Sequence, residues 1–207
     1  MEKKIFAWSP CSGWLCLASQ VQSSVQINFF THKGVRLEDV VAQRKSSVSV
    51  LAWHPLEILV VIAWTDGLLA ILSPESSIQF SVDEELKSRV SFLQWSSDGK
   101  SLWAVMEDGK CTVYNLISKS SIERCGECSV NDKPTAACQR VKTTQLGQIP
   151  LVAEGTQALN GIAPREAALN TVQVSTSVTS TFVVGTEGGV IHVIDRNANS
   201  IRVSQVL

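Results

Sequence analysis

The sequence predicts an all-β chain that forms a partial β-propeller of about four blades, each a sheet of four antiparallel strands. Three observations support this fold class: matched tryptophans recur about 45 and 42 residues apart, glycine turns separate short apolar runs, and no long apolar period of 3.6 residues occurs. At 44% hydrophobic residues, the chain can bury a core. We expect residues 1–207 to form a single partial propeller, because this length suits one domain.

The repeat is clearest when the units are aligned on their tryptophans. Trp8, Trp53 and Trp95 each end a short apolar segment and precede a turn. Their spacing is typical of four-stranded propeller blades. Because the three side chains occupy matched positions, we expect them to lie in the core. A tryptophan exposed at a blade rim would instead be a candidate contact anchor, since this residue is enriched in binding hot spots.

Short glycine turns connect the apolar runs within the units. An Asp-Gly pair between two such runs is a strong hairpin signal, because both turn positions favour positive φ. The first unit lacks the pair and has Ser23-Ser24 instead, while a fourth hairpin near the end of the chain turns on a Gly-Gly pair. The repeat positions predicted at these turns are Asp66, Gly67, Asp108, Gly109, Gly188 and Gly189.

A long irregular segment interrupts the fourth unit. Its opening strand is predicted at residues 135–141, and its next strand at 181–186. Residues 142–180 lie between them and are rich in Thr, Ser, Gln, Ala, Gly and Asn. This composition predicts a flexible surface insertion within the fourth blade.

Charge and hydropathy exclude two classes of partner. The formal net charge is −1, so no basic field favours nucleic acid. The most apolar stretch, residues 56–72, contains Glu57 and is split by the Asp-Gly pair. A membrane span needs roughly 20 mostly apolar residues. We therefore predict no nucleic-acid binding and no transmembrane segment.

The cysteines are the main candidates for metal or redox chemistry. Cys125 and Cys128 form a C-x-x-C pair, to which Cys138 could add a third thiolate. Structural zinc needs four nitrogen or sulfur ligands, and the three histidines are remote in sequence. Incidental loop cysteines are therefore favoured, with a metal site and a redox pair as alternatives. No cofactor and no metal are predicted.

Catalytic motifs are absent from the sequence. It has no nucleophile elbow, no paired metalloprotease histidines and no kinase-like set. His54 precedes Pro55 where the other units have Ser9 and Ser96, so it is predicted to cap the local backbone of a turn. The sequence thus predicts a protein that is not an enzyme.

The units resemble divergent WD40 repeats. The opening Trp-His/Ser turn and the Asp-Gly hairpin are retained, whereas the usual Trp-Asp ending is replaced by Leu72-Ser73, Tyr114-Asn115 and Ile194-Asp195. Sequences of this type are similar to the propellers of intraflagellar-transport and vesicle-coat subunits. The fold that this resemblance implies is a WD40-type propeller.

A closer resemblance is to the first propeller of the intraflagellar transport protein 140 family, a complex A subunit. Residues 51–55 with 60–64 and Gly67 are similar to that family's second unit, residues 93–99 to its third, and residues 134–137 to its fourth. The family carries two propellers and a long helical-repeat tail, so the resemblance implies a fragment, a truncated product or an incomplete gene model. The ring of blades would then stay open.

The resemblance implies a non-catalytic scaffold that binds other complex A subunits and acts in retrograde ciliary transport and ciliary cargo entry. It also implies a location in the cytoplasm, the cilium and the basal body. A vesicle-coat or generic cytosolic WD-repeat adaptor is the alternative within the same class. A propeller enzyme or metal-binding module is a further alternative, which would need inward-facing titratable groups.

Overall fold

A computed structural model describes residues 5–75, 78–82, 86–119, 121–141, 180–197 and 200–206. These ranges contain strands, turns and bends but no helix. The strands form four separate antiparallel sheets of four strands each, and the ring of sheets is not closed. The predicted all-β, partial propeller fold is confirmed. The insertion predicted over residues 142–180 lies outside the described residues, apart from its last position.

Each sheet is one blade, and the blades follow one another along the chain. Neighbouring strands in sequence are hydrogen-bonded neighbours within each blade. Blade 1 contains β1 (Ile5–Trp8), β2 (Leu15–Val21), β3 (Ser24–Phe30) and β4 (Arg36–Arg44). Blade 2 contains β5 (Val48–Trp53), β6 (Val60–Trp64), β7 (Leu69–Ser73) and β8 (Ile78–Ser81). Blade 3 contains β9 (Val90–Trp95), β10 (Ser101–Met106), β11 (Lys110–Ser118) and β12 (Ser121–Ser129). Blade 4 contains β13 (Pro134–Val141), β14 (Ser180–Thr186), β15 (Ile191–Asn197) and β16 (Ser200–Val206).

The first strand of each blade lies innermost. Strand β1 contacts β5, β5 contacts β9, and β9 contacts β13, so the blades fan around a common axis. The core consists of three apolar clusters, each between two successive blades. Strands β6 and β7 are buried along their whole length, because blade 2 is covered on both faces. This explains why their sequence is continuously apolar rather than alternating.

The glycine turns place left-handed backbone at the ends of hairpins. Gly67 and Gly109 have φ of +91° and +85°, values that suit glycine. The backbone N–H of Leu86 donates to the Gly67 carbonyl at 3.0 Å, and that of Val130 donates to the Gly109 carbonyl at 2.9 Å. Each turn is therefore hydrogen-bonded to the segment that follows the outermost strand of its blade. In the first unit, Gln22 takes the left-handed position with φ of +55°.

Candidate functional site

A repeated indole hydrogen bond joins successive blades near the axis. The Nε1–H of Trp53 donates to the carbonyl oxygen of Ala7 at 2.9 Å, and that of Trp95 donates to the carbonyl oxygen of Ala52 at 3.4 Å. Each acceptor directly precedes the matched tryptophan of the preceding blade. Trp53 and Trp95 are 7% and 5% exposed, so these two tryptophans belong to the core as predicted. Buried indoles usually find such an acceptor.

Trp8 differs from its two counterparts. It is 59% exposed, so the prediction that it lies in the core is wrong. The indoles of Trp53 and Trp95 face the preceding blade, whereas Trp8 belongs to the first of the four described blades. Its face therefore has no blade against it within the described residues. The alternative stated from the sequence, an exposed contact anchor, matches its position.

His54 links the turn of blade 2 to the turn of blade 3. Its Nδ1 accepts hydrogen bonds from the backbone N–H groups of Leu56 and Glu57, at 3.2 and 3.0 Å, which places the ring proton on Nε2. Nε2 then donates to the carbonyl oxygen of Gly99 at 2.9 Å. The ring also meets Trp95 edge to face, with 4.7 Å between centroids. The predicted capping role is confirmed, and the contact with the next blade extends it.

A cleft of about 430 Å³ lies where the innermost strands end. It crosses all four blades, and its walls combine apolar side chains with a few polar ones. This mixture of an apolar surface and sparse polar groups is typical of sites that bind other molecules. Its lining residues are Pro10, Leu51, Ala52, Trp53, Pro55, Leu93, Gln94, Trp95, Ser96, Ser97 and Gln139.

A polar network joins blades 3 and 4 at the position where WD40 repeats carry Trp-Asp. Arg196 donates from Nη1 to Ser101 Oγ at 2.6 Å and from Nη2 to Asn115 Oδ1 at 2.8 Å. In blade 4 itself, Thr181 Oγ1 donates to Asp195 Oδ1 at 2.7 Å. Sequence reasoning did not identify Arg196, because its partners lie 81 and 95 residues away.

The two cysteines of the C-x-x-C pair lie in a strand, so the prediction that they belong to a loop is wrong, and their thiols have different partners. Cys125 and Cys128 both lie on β12, where Cys125 Sγ donates to the Val113 carbonyl oxygen at 3.2 Å. Cys128 lies opposite Cys111 on β11. The hydrogen bond with Cys128 and burial raise the pKa of the Cys111 thiol. Cys138 lies on another blade, and all six cysteines are free thiols.

Metal ligands do not gather elsewhere in the part of the chain that the structure describes. No three His, Cys, Asp or Glu side chains lie close enough there to hold a metal ion. The same ranges contain no helix with the length and hydrophobicity of a membrane span.

Acidic side chains stabilise two of the turns. At Asp66, burial opposes ionisation, but hydrogen bonds from Arg44 and from the Leu68 backbone outweigh it and lower the pKa of the carboxyl. At Asp98, burial again opposes ionisation, and hydrogen bonds from Ser96 and the Lys100 backbone lower the pKa. Arg44 belongs to blade 1 and Asp66 to blade 2, so this exposed ion pair also spans a blade boundary.

A comparison with protein families matches the model of the IFT140 first beta-propeller over residues 1–206. The match covers nearly every residue, and it agrees with the four blades and the repeated tryptophan contacts. The chain belongs to this family. The resemblance noted from residues 51–55 and 93–99 is thereby confirmed. As an IFT140 first-propeller sequence, it has the architecture of a protein-interaction propeller.

Solved structures share the fold of this IFT140-type propeller at low sequence identity. One is a chain from the complex of KlAtg21 with the coiled-coil of AgAtg16, which has a TM-score of 0.61 and 14% sequence identity. The match covers 97% of this chain and 56% of that chain. A chain of the mitotic checkpoint complex has a TM-score of 0.61 and 11% sequence identity, and the match covers 98% of this chain and 48% of that chain. Chaetomium thermophilum Raptor has a TM-score of 0.59 and 12% sequence identity, and the match covers 93% of this chain and 15% of that chain. This chain thus spans about half the length, or less, of the structures that it matches.

Proposed function

We propose that this chain is a non-catalytic interaction scaffold within intraflagellar transport complex A, acting in retrograde ciliary transport and in the entry of cargo into cilia. The observation that carries the proposal is the family match over residues 1–206. Its location would be the cytoplasm, the cilium and the basal body. Family membership alone suggests this cellular role, since a propeller fold serves many functions.

The axial cleft is the surface on which we propose that a protein partner binds. It is open and crosses four blades, and Gln94 and Gln139 line it together with two tryptophans. A peptide segment that combines apolar side chains with backbone polar groups would match this lining. The buried imidazole of His54 already makes three hydrogen bonds, which suits a structural role better than proton transfer.

Co-purification from ciliated cells tests the cellular role. We expect the tagged chain to recover complex A subunits and to be enriched in cilia and basal bodies by fluorescence. A folded chain that recovers none of these subunits would contradict the proposal. If it recovers vesicle-coat subunits instead, without enrichment in cilia, the generic cytosolic adaptor is the better assignment.

A pair of glutamine variants tests the cleft. Gln94→Arg places a charge in the cleft, whereas Gln20→Arg makes the same change at an exposed position of β2, away from it. We expect Gln94→Arg to weaken recovery of the partner by about tenfold, since unpaired charge in an interface costs more than 1 kcal/mol. Equal recovery by both variants would place the binding surface elsewhere on the propeller.

A further inference from the structure

Blade 3 carries two cysteines opposite one another on neighbouring strands. Cys111 of β11 and Cys128 of β12 are directly paired in the antiparallel register. Side chains at such positions point to the same face of a sheet, and both cysteines pack in the apolar cluster between blades 3 and 4. Blade 3 has a described blade on each side, so the surroundings of this pair are set within the chain.

The spacing of the two α-carbons suits a disulfide. The backbone N–H of Val130 donates to the Gly109 carbonyl oxygen, two positions from the cysteines on each strand. Because antiparallel pairs alternate, Cys111 and Cys128 form a hydrogen-bonded pair, whose α-carbons lie about 5.5 Å apart. A disulfide joins α-carbons that are about 4.4–6.8 Å apart.

The outer position of β12 gives the pair the freedom that a bond would need. Directly opposed β-carbons lie about 4.5–5.5 Å apart, whereas a disulfide draws them to about 3.5–4.5 Å. Strand β12 is the outermost of its blade, pairs only with β11, and has a bulge at Cys125. A shift of about 1 Å is therefore open to this strand. Strained or exposed disulfides of this kind are easily reduced again, so the bond would be reversible.

The two thiols differ in acidity and in access. A hydrogen bond from Cys111 lowers the pKa of the Cys128 thiol and outweighs burial, which opposes ionisation. The same bond and burial raise the pKa of Cys111, so Cys128 ionises first. Cys128 is half-buried and reachable by a small oxidant, whereas Cys111 is fully buried. An accessible, acidic thiol beside a second thiol is typical of redox-sensitive sites.

We propose that Cys111 and Cys128 form a reversible redox site, which a hydroperoxide converts to a disulfide between β11 and β12. The Cys128 thiolate attacks a peroxide oxygen, the O–O bond breaks, and the leaving hydroxide takes a proton to become water. The sulfur of Cys111 then attacks the resulting Cys128 sulfenic acid. The S–S bond forms, the S–O bond breaks, and the departing hydroxide leaves as water with the Cys111 proton. Two thiols are oxidised to one disulfide, and the peroxide is reduced to two waters.

This pairing differs from the one that the C-x-x-C spacing brings to mind. The Cys125 thiol donates to the Val113 carbonyl oxygen, and burial raises its pKa despite the nearby Arg196. Cys125 is therefore a weaker nucleophile than Cys128 at neutral pH, although it is more exposed. Because it lies on the same strand, three residues away, it provides a matched control.

Peroxide oxidation of the whole folded chain tests the proposal. After the remaining thiols are alkylated, trypsin cleaves at Lys110, Lys119 and Arg124, which places Cys111 and Cys128 in separate peptides. We expect mass spectrometry to find these peptides joined, lighter by two hydrogens than their sum, and separated again by dithiothreitol. Fragmentation between Glu127 and Cys128 assigns the bond without any variant.

Variants at the two β12 cysteines then separate the proposed pair from general thiol oxidation. Cys125→Ser should leave the yield of the joined peptides unchanged, whereas Cys128→Ser should abolish them and leave Cys111 reduced. Circular dichroism establishes that each variant is folded, and Cys128→Ala replaces Cys128→Ser if the latter is not. In denaturant the strand register is lost, so oxidation should no longer favour this pair.

Several results would overturn the proposal. One is a folded chain whose Cys111 and Cys128 are not joined after peroxide has oxidised its exposed cysteines. Another is a disulfide that joins Cys111 to Cys125 or Cys138 instead. Conversion of Cys128 to its sulfinic acid without any joined peptide would also exclude Cys111 as its partner. All of these outcomes are independent of whether complex A subunits are recovered from cells.

Discussion

Replacing Gly99 with alanine should destabilise this protein much more than the same replacement at Gly34. Both glycines have left-handed backbone, with φ of +72° and +78°, so the backbone penalty of alanine is about equal at the two sites. At Gly34 a Cβ atom would meet nothing within 4 Å. At Gly99 it would collide with Nε2 and Cε1 of His54. The difference between the variants therefore isolates the contact between two blades.

The magnitude follows from the bonds that the collision displaces. Left-handed backbone costs an alanine about 1–2 kcal/mol, and this should be the whole effect at Gly34. Moving the His54 ring also breaks its hydrogen bond to the Gly99 carbonyl and loosens the two that it accepts from Leu56 and Glu57. Each buried bond lost costs about 1 kcal/mol. We expect a total loss of about 2–5 kcal/mol for Gly99→Ala.

Denaturant titration followed by tryptophan fluorescence and circular dichroism measures both variants. The double variant His54→Ala/Gly99→Ala provides the internal check, because removing the imidazole removes the collision. Its cost should be smaller than the sum of the single costs by about 0.5–3 kcal/mol, the range for residues in direct contact. If Gly99→Ala and Gly34→Ala shift the free energy of unfolding equally, the contact between His54 and Gly99 does not hold the blades together.

Three further predictions concern single side chains, each measured by the free energy of unfolding. Trp95→Phe removes the indole donor to the Ala52 carbonyl, so we expect a loss of about 1–2 kcal/mol; no loss would mean that the repeated bond is not stabilising. The pKa of Asp98 is lowered because hydrogen bonds, including one from Ser96, outweigh its burial. The stability that the ionised carboxyl contributes is therefore complete above about pH 4 and is lost as the pH falls through the lowered pKa. In Asp98→Asn this acid-dependent loss of stability should be absent. This carboxyl is exposed, so we expect less than about 1 kcal/mol, and an identical pH profile for the variant would contradict the interpretation. Arg196→Met keeps the apolar stem but removes two hydrogen bonds between blades 3 and 4, which should cost about 1–3 kcal/mol and expose blade 4 to earlier proteolysis.

Features with a local cause could be predicted from the sequence. The turns at Gly67 and Gly109 were predicted because a tight hairpin needs positive φ, and that requirement involves neighbouring residues only. The period of the tryptophans predicted three blades and the late hairpin at Gly188-Gly189 predicted a fourth, because each blade repeats one pattern of strands and turns. The outermost strands, such as β4 and β12, were not predicted. Each of these strands pairs with a single neighbouring strand, and most of β12 is exposed, so its sequence lacks a sustained apolar pattern.

The candidate site was only partly predictable. His54 was predicted to cap a turn from its place beside Pro55, but its second partner, the Gly99 carbonyl, lies 45 residues away. The pairing of Cys128 with Cys111 depends on the register of β11 against β12, including a bulge beside Cys125. The C-x-x-C spacing left a metal site or a redox pair open as alternatives to incidental cysteines, and that register directs the two thiols to different partners.

By itself, the sequence determined the centre of the repeating unit: the inner strands of each blade and the positions at which the hairpins turn. These properties depend on alternation and on φ preferences, which act over a few residues. Only the tertiary structure decided which apolar faces are covered. Trp8 and Trp53 end matched strands, yet one is 59% exposed and the other 7%, because burial depends on the blade that packs against the residue. That neighbour lies some 45 residues away along the chain, beyond the reach of any local pattern.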